Sequence, residues 1–478
     1  MSEKRVLSVH AMMLLILLTS GCDHSPETTT TTSTTVVEIP TLTWMIGLGG
    51  GSEESQFDVQ QAIVDEINAS QTRFRLEIEV VESELAYTTL ASRIASGDSP
   101  DIIGPLGRDG ANTFTEHYLD LRPLMEASEL DTSVWPSTLL ASSQELDGSI
   151  YGLPFAVYPS LLYYNRELFD EASLPYPPGE FGALYGEGTP WEGTWDWEKL
   201  SEIAEVLTID SNGNNATRSS FRKAQTVQWG FVWQWTGRPF QQGSYWGAAS
   251  PLTQLGEIEI PETWIDEWSW YHDAIWKHGF APNEEQLYSL DPSGNAFATG
   301  KVAMAVSHLW YVCCVLDESG AGREFFDVAA LPSHQGEITA NIHTDTFYIL
   351  KYTDHPEETF EALLQLINND STTKNLLNVY GAHPALSDLA TDFYDYLDRV
   401  FGHDVRWELA QEAVSYADAP SHESWIPEWE EYKTLMSELG LAMIADPDLD
   451  VADAARQIEE DLNAMLQGET GPDSERPQ

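Results

Sequence analysis

The body of the chain opens with the stretch Leu42-Thr43-Trp44-Met45-Ile46, which runs directly into Gly47-Leu48-Gly49-Gly50-Gly51. The first five residues predict a short buried strand, and the glycines predict a tight turn. Further elements follow at the spacing of an α/β unit: a helix at 56–67, a strand at 74–80, a helix at 85–94 and a strand at 100–103. This order predicts right-handed crossovers and a largely parallel sheet, in which ligands bind beyond the carboxyl ends of the strands.

Working outward, the same alternation returns in the second half of the chain. The middle, roughly residues 159 to 330, is rich in tryptophan and in loops. After it the pattern predicts a strand at 328–332, a strand at 347–350, a helix at 357–368 and an amphipathic helix at 451–466. The fold class predicted from the residues is therefore α/β.

Net charge limits the function of the chain. Its 478 residues include 23 Lys and Arg against 77 Asp and Glu, which gives a formal charge of −54. Binding to nucleic acid requires a cationic surface, so we expect no nucleic-acid partner. With 42% apolar residues the chain has ample material for a core, so the acidity describes its surface. A halophilic source is the preferred explanation, because an acidic coat keeps a protein hydrated in concentrated salt.

The N-terminus has the pattern of an exported chain. Lys4 and Arg5 precede an apolar stretch at 11–18, which is too short to span a bilayer, and residues 1–22 therefore predict a signal peptide. The ending Ser20-Gly21-Cys22 resembles the lipobox of lipoproteins, in which Cys22 becomes the acylated first residue, although Thr19 stands where an aliphatic residue is usual. Plain cleavage with an incidental cysteine is the alternative. Residues 23–39 predict a Thr-rich flexible tether, and residues 468–478 a frayed, disordered tail.

Motifs of enzymes are missing from the sequence. We find no H-E-x-x-H, no G-x-S-x-G and no phosphate-binding loop, and Glu53 and Glu54 after the glycine run would repel a phosphate. The residues around Asp210 predict an Asx-rich turn rather than a calcium loop. The sequence thus predicts no catalytic residue, no metal and no cofactor. The adjacent Cys313 and Cys314 are either two small buried residues or an oxidised pair that stiffens the turn after Trp310.

A resemblance sharpens these expectations. Residues 148–158, Gly-Ser-Ile-Tyr-Gly-Leu-Pro-Phe-Ala-Val-Tyr, continuing to Leu162-Tyr163-Tyr164-Asn165-Arg166-Glu167-Leu168-Phe169, resemble the hinge region of the extracellular solute-binding proteins of sugar ABC importers, the maltose-binding and multiple-sugar-binding type. Further blocks are similar to the same family in the same order: the strand around Trp44, residues 95–102, residues 119–124, residues 296–310, and residues 331–332 through 355–358.

The resemblance implies a type II periplasmic-binding-protein-like fold with a hinged cleft between two lobes. Lobe one would comprise 40–156 plus 333–385, and lobe two 158–331 plus 386–467. Its further implications are a carbohydrate ligand, delivery to the membrane subunits of an ABC transporter, a monomer, and a location on the outer face of the cytoplasmic membrane. Contact with the membrane would be through the lipid anchor only.

Candidate ligand-binding residues are aromatic side chains for the C–H faces of a sugar and polar groups for its hydroxyl rim. Trp233 and Trp235 lie one residue apart before a loop, so either could reach the cleft. Trp264, Trp268 and Trp276 stand at helical spacing and are expected in the core. The resemblance implies that Trp310, after the block Phe297-Ala298-Thr299-Gly300-Lys301-Val302-Ala303-Met304, stacks on sugar.

Polar candidates are less specific. Tyr158 stands at a hinge position where maltose-binding relatives carry a hydrogen-bonding acid, which leaves the identity of the ligand open. Trp429 falls near another stacking position of the family. Glu82, just after a strand, is a candidate hydroxyl acceptor, and His343 and Asp345 lie where the returning chain passes the cleft. Exposed or structural roles are the alternatives for these residues.

Two other functions remain open at this point. A secreted carbohydrate-active hydrolase would also fit the tryptophans and abundant acids, and the same fold could bind a non-sugar solute. The sequons at Asn68, Asn215 and Asn369 fit glycosylation, whose use depends on the host.

Overall fold

The computed structural model describes residues 39–467, except for 146, 248–249, 254, 316–324, 381, 402–404 and 418–425. The predicted signal peptide with Cys22, nearly all of the tether and the tail at 468–478 therefore lie outside the described residues. In the described part of the chain, no helix is both long and apolar enough to cross a membrane.

The strands, in chain order, are β1 (Thr41–Ile46), β2 (Arg75–Val80), β3 (Ile102–Leu106), β4 (Gly152–Asn165), β5 (Leu184–Tyr185), β6 (Gly193–Thr194), β7 (Ile209–Asp210), β8 (Thr226–Trp233), β9 (Val302–His308), β10 (Phe326–Ala329) and β11 (Ile342–Ile349).

The α-helices are α1 (Glu54–Ser70), α2 (Ser83–Ser96), α3 (Arg108–Thr113), α4 (Arg122–Ala127), α5 (Ser137–Ser142), α6 (Arg166–Ala172), α7 (Trp197–Leu207), α8 (Pro239–Ser244), α9 (Glu262–Asp273), α10 (Glu284–Leu290), α11 (Pro356–Ile367), α12 (Asp370–Tyr380), α13 (Ala390–Phe401), α14 (Glu408–Ala413), α15 (Trp429–Ala445) and α16 (Val451–Leu466). Short 3-10 helices at Leu309–Cys314 and Val414–Tyr416 matter for the cavities described below.

The main sheet is mixed. Its strand order is β2-β1-β3-β11-β4-β9-β8-β7, with β10 paired to β4 off this path. β1 is parallel to β2 and β3, as the first three strands predicted. β11 is antiparallel to both β3 and β4, and β4 is antiparallel to β9. The expectation of a largely parallel sheet therefore holds for β1 to β3 and for β8 with β9. It fails at the centre of the sheet, because the returning strand β11 enters in the opposite direction.

Strand β4 is shared by the two halves of the sheet. Its residues 152–159 pair with β11, and its residues 160–164 pair with β9. All fourteen residues of β4 are buried, which explains why its sequence is a nearly continuous apolar run rather than an alternating one. The half of the sheet made by β2, β1, β3 and β11 is thus joined to the half made by β9, β8 and β7 through a single strand.

Local signals account for several helix ends. Glu53 and Gln56 form a capping box at the start of α1, so two backbone N–H groups that the helix leaves unpaired find acceptors. The side chain of Asp196 accepts a hydrogen bond from the backbone of Lys199 at the start of α7. α2 is capped by the next residue, Gly97, whose φ of 75° suits glycine just after the end of a helix.

Boundaries in the second half of the chain differ from the prediction. The strand expected at 328–332 is β10, Phe326–Ala329, which lies slightly earlier. The strand expected at 347–350 is the end of β11, which begins at Ile342. The polar residues at positions 343–345 concealed this strand, because alternation of apolar residues is absent there.

The tryptophan-rich middle supplies much of the core. Trp264 and Trp268 are fully buried on α9, as their helical spacing predicted, and Trp276 is half-buried against the core. The Asp210 loop is the expected Asx-rich turn, since the carboxylate accepts hydrogen bonds from the backbone of Asn212 at 2.8 Å and of Asn214 at 3.0 Å. Cys314 is disulfide-bonded, whereas the side chain of Cys313 lies outside the part of the chain that the structure describes.

Candidate functional site

A cavity of about 390 Å³ opens beside the β4–β11 pair. Its walls come from the ends of β1 and β3, from β4, β11, α2 and α8, from the 3-10 helix Leu309–Cys314 and from the start of α15. The lining residues are Leu48, Gly49, Tyr87, Gly107, Gly110, Tyr158, Arg238, Phe240, Gln241, Trp310, His343, Thr344, Asp345 and Trp429. We refer to this space as the cleft cavity.

One wall follows from the carboxyl-end rule for parallel strands. Leu48 and Gly49 follow β1, and Gly107 follows β3, so the loops after two adjacent parallel strands meet at the cavity. A Cβ on Gly49 would lie 2.7 Å from Cα of Leu106, so glycine is required for the two loops to approach this closely. The wall is therefore backbone with little side-chain bulk.

The floor carries a polar pair, in which Tyr158 is buried and Asp345 is half-buried. Tyr158 on β4 lies opposite His343 on β11, and its hydroxyl donates a hydrogen bond of 3.2 Å to Oδ2 of Asp345. Burial raises the pKa of Asp345 to about 6, an effect that the hydrogen bond from Tyr158 only partly offsets. Burial beside Asp345 also raises the pKa of Tyr158 well above its ordinary value, so the phenol stays a donor. The floor can donate and accept hydrogen bonds with an uncharged ligand.

Trp310 is oriented by His343. The indole Nε1–H of Trp310 lies 3.1 Å from Nδ1 of His343, and Nε2 of the same imidazole lies 2.7 Å from the terminal amide of Gln241. An indole N–H can only donate, so Nδ1 must accept and the proton of the neutral ring sits on Nε2. The Gln241 atom at this contact is the amide nitrogen, so a hydrogen bond from Nε2–H requires the amide group of Gln241 to be turned over, which places its oxygen as the acceptor. Because its N–H is used here, Trp310 presents its apolar ring surface as its main contact for a ligand.

Aromatic rings support Trp310 from behind. Its ring is nearly parallel to those of His308, at a centroid distance of 5.8 Å, and His343, at 6.2 Å. Trp235 is also nearly parallel to Trp310, at 6.4 Å. Trp235 is 42% exposed and has a φ of 59°, a left-handed conformation that is strained for a bulky residue.

Trp429 forms the opposite edge of the cavity at the start of α15. It is 5% exposed, stacks on Tyr432 at 5.7 Å and meets Phe240 edge to face at 5.9 Å. The residue thus both lines the cavity and packs in the second hydrophobic cluster, so its two expected roles are combined.

The structure brings together five of the eight predicted ligand residues. Trp310, Tyr158, His343, Asp345 and Trp429 all line the cleft cavity. Trp235 lies beside it, in contact with Trp310.

The other two predicted residues lie elsewhere. Trp233 is 5% exposed within an aromatic core, where it stacks on Tyr245 at 5.0 Å and contacts Trp197. Glu82 is exposed at the start of α2, because it follows β2, the outermost strand of the sheet. Neither side chain belongs to the lining of the cleft cavity.

Several cavity residues were missed by reasoning from the sequence. Gln241 carries no motif, and only its contact with His343 reveals it. Gly107 could have been found from the rule that loops after parallel strands bind ligands, because it follows β3 directly, and Gly110 lies in α3, the helix that comes next. Tyr87 lies on a helix whose apolar pattern conceals the tyrosine among core residues.

The arrangement is suited to binding a neutral, polar molecule with flat apolar faces. Indole and phenol rings line the cavity beside amide, imidazole, hydroxyl and carboxyl groups. Among the described residues, no group of three or more His, Cys, Asp or Glu side chains is placed to hold a metal ion.

The sequence is similar to those of known solute-binding proteins. The family described as bacterial extracellular solute-binding protein matches residues 62–395. The maltodextrin-binding protein of Bacillus subtilis is 21% identical over 273 residues, 54% of this chain and 56% of the relative. The galactooligosaccharide-binding protein of the same bacterium is 23% identical over 335 residues, 69% of this chain and 71% of the relative. The chain thus spans little more than half the length of the maltodextrin-binding relative.

Solved structures extend the likeness to nearly the whole chain. An ABC substrate-binding protein from Listeria monocytogenes in complex with cycloalternan matches with a TM-score of 0.66 and 17% identity, over 90% of this chain and 100% of that one. The cyclic alpha-maltosyl-1,6-maltose binding protein from Arthrobacter globiformis matches with a TM-score of 0.66 and 16% identity, over 90% and 100%. At such identity the likeness shows the fold, and the predicted two-lobed α/β class is confirmed.

Proposed function

Because the chain belongs to the family of bacterial extracellular solute-binding proteins, we propose that it captures a sugar or oligosaccharide outside the cell and delivers it to an ABC importer. The observation that carries this proposal is the combination, in one cavity, of the Trp310 ring face with the polar groups of Tyr158, Gln241, His343 and Asp345. A sugar ring has apolar C–H faces and a rim of hydroxyls, so it needs both kinds of contact. The sugar-binding relatives support the same ligand class.

Capture would proceed by closure of the two lobes about β4 and β11. We place lobe one at 40–156 plus 333–385 and lobe two at 158–331 plus 386–467. Under this division Gly49 and Tyr87 approach a ligand from lobe one, and Trp310 and Gln241 approach it from lobe two. A ligand that touches both walls favours the closed form, and that form is what the importer subunits would recognise.

The chain would act as an anchored monomer. The lipobox-like ending at Cys22 supports acylation, and the Thr-rich segment 23–39 supports a flexible connection to the membrane surface. We therefore place the protein on the outer face of the cytoplasmic membrane, which is consistent with a family of extracellular binding proteins.

We further propose that no bond of the ligand is broken. The family consists of binding proteins, and this favours a receptor over the hydrolase that the tryptophan content and acidic residues also fitted. A receptor gives saturable binding with the ligand recovered intact, whereas a hydrolase releases shortened products.

A thermal-shift screen of mono- and oligosaccharides tests the proposal. A ligand present at about 100 times its Kd stabilises the folded form by about 2.7 kcal/mol, which gives a measurable rise in Tm. Trp310→Ala should abolish the rise while the unliganded variant stays folded, because Trp310 is only half-buried. The matched control is Tyr288→Ala, which removes an aromatic ring that is 70% exposed and outside the cavity. Release of sugar products would refute the proposal that the protein is a receptor. Tm shifts produced only by non-sugar solutes would refute the proposal that its ligand is a sugar.

A further inference from the structure

A second cavity of about 470 Å³ is larger than the cleft cavity and shares none of its lining residues. Its walls are residues of β4, of the segment 383–385, of α13 and α14, of the 3-10 helix Val414–Tyr416, and Pro136 before α5. We call it the rear cavity.

The two cavities lie on opposite faces of the same strand. Val157 lines the rear cavity and its neighbour Tyr158 lines the cleft cavity. Successive side chains of a strand point to opposite faces, so the rear cavity lies behind the β4–β11 pair.

The segment 383–385 ties the rear cavity to β4. The backbone N–H of Val157 donates to the carbonyl of His383 at 2.9 Å, and that of Ala385 donates to Phe155 at 3.0 Å. β4 is thus flanked at this point by β11 on one edge and by 383–385 on the other. Any group that moves 383–385 acts on the strand that carries Tyr158.

The lining combines an apolar floor with an acidic wall. Val157, Pro384, Ala385 and Val414 supply hydrocarbon surface. The wall is one face of a helical segment, since Gln411, Glu412 and Ser415 lie three, four and seven residues after Glu408.

The buried imidazole in this cavity adds no positive charge at neutral pH. His383 is 3% exposed, and its Nε2 lies 2.7 Å from the hydroxyl of Tyr394. Burial lowers the pKa of His383 to about 4, so the ring is neutral at pH 7. The two carboxylates at the mouth are then the charged groups among the lining residues.

From this geometry we infer that the rear cavity is a second ligand site, which takes a small organic cation with an apolar body and whose occupation favours closure of the cleft. The apolar body packs on Val157, Ala385 and Val414, and the ammonium group lies between Glu408 and Glu412. Rotation of the two lobes about a hinge strand narrows the cavity on one face of the strand and widens the cavity on the other face. A ligand that holds the rear cavity open therefore opposes opening of the cleft cavity.

Binding at the rear cavity is tested with benzylammonium and its neutral analogue benzyl alcohol, by calorimetry and by NMR of methyl-labelled valines. We expect saturable binding of benzylammonium, at least about tenfold tighter than benzyl alcohol, with Val157 and Val414 resonances shifted. Glu408→Gln with Glu412→Gln should remove this preference, and both side chains are exposed, so the fold is retained.

Matched variants separate the site from general charge effects. Glu54→Gln with Asp58→Asn makes the same charge change at exposed positions of α1 and should leave binding unchanged. Ser415→Trp fills the cavity from its exposed rim and should abolish binding of both probes. Equal binding by wild type and by the Glu408 and Glu412 double variant, or no saturation, would overturn the site.

The coupling to the cleft rests on the proposed function and is measured separately. With a sugar identified by the thermal-shift screen, saturating benzylammonium should tighten its Kd at least about fivefold, and the sugar should tighten benzylammonium by the same factor. A sugar Kd that is unchanged or weakened would overturn the coupling. If no sugar binds, the proposed function fails, while the binding of benzylammonium still decides the rear site.

Discussion

Asp345 is expected to cost the folded protein stability at neutral pH. Burial raises the pKa of its carboxyl from 3.8 to about 6, so the charged form is disfavoured in the fold by about two pKa units. At about 1.36 kcal/mol per unit, the ionised carboxylate lowers the free energy of unfolding by up to about 3 kcal/mol. Asp345→Asn removes this charge and leaves an oxygen that still accepts from Tyr158.

The sign of the pH dependence follows from proton binding. Between pH 4 and pH 6 the folded state keeps the proton of Asp345 while the unfolded state has lost it, so wild-type stability falls as pH rises through this window. Asp345→Asn should therefore be more stable than wild type by up to about 3 kcal/mol at pH 7.5, and the difference should shrink to near zero below pH 4.

Urea unfolding at a series of pH values from 4 to 8 measures this difference. Asp58→Asn, at an exposed position of α1, is the matched control and should show no such pH-dependent gain. A variant that is no more stable than wild type at pH 7.5, or a gain that persists unchanged at low pH, would refute the reasoning. The stabilised variant should also bind sugar more weakly, since the carboxyl lines the cavity.

Two further predictions concern the tryptophans of the site and the core. His343→Leu removes the acceptor of the Trp310 indole N–H and should weaken sugar binding about tenfold in calorimetry. His343→Asn keeps an acceptor oxygen, so its sugar Kd should stay within about threefold of the wild-type value. Equal losses of affinity in both variants would contradict a positioning role for His343. Trp233→Ala should lower the free energy of unfolding by about 3–5 kcal/mol in urea, because the ring is buried against Tyr245 and Trp197. Normal stability with lost sugar binding would instead place Trp233 in the site.

The first part of the fold could be predicted from the sequence because its periodicities are local. β1, α1, β2, α2 and β3 each carry a clear alternation or helical spacing, and the crossover rule fixes how they join. β11 could not be predicted in full, since its residues 343–345 are polar and serve the cavity rather than the core. Its direction depends on the path of the intervening chain, which no local pattern encodes.

The residues of the candidate site could likewise be predicted from the sequence only in part. Trp310 and Tyr158 were expected from blocks of sequence similar to a known family, and both line the cavity. Trp233 and Trp235 could not be told apart from the sequence, because both precede the same loop. The turn at Trp235, which the sequence does not show, places the ring of Trp235 outside the core and leaves that of Trp233 within it. Gln241 was hidden because an amide on a short helix has no pattern of its own until the chain folds against His343.

The sharing of β4 also bears on how the protein melts. Each half of the sheet takes its continuing strand from the same fourteen buried residues, so neither half retains a complete sheet once that strand is lost. Calorimetric heating should then give one cooperative endotherm rather than two, despite the bilobed shape. Selection for a movable cleft and selection for resistance to heat would therefore act on the same short piece of backbone.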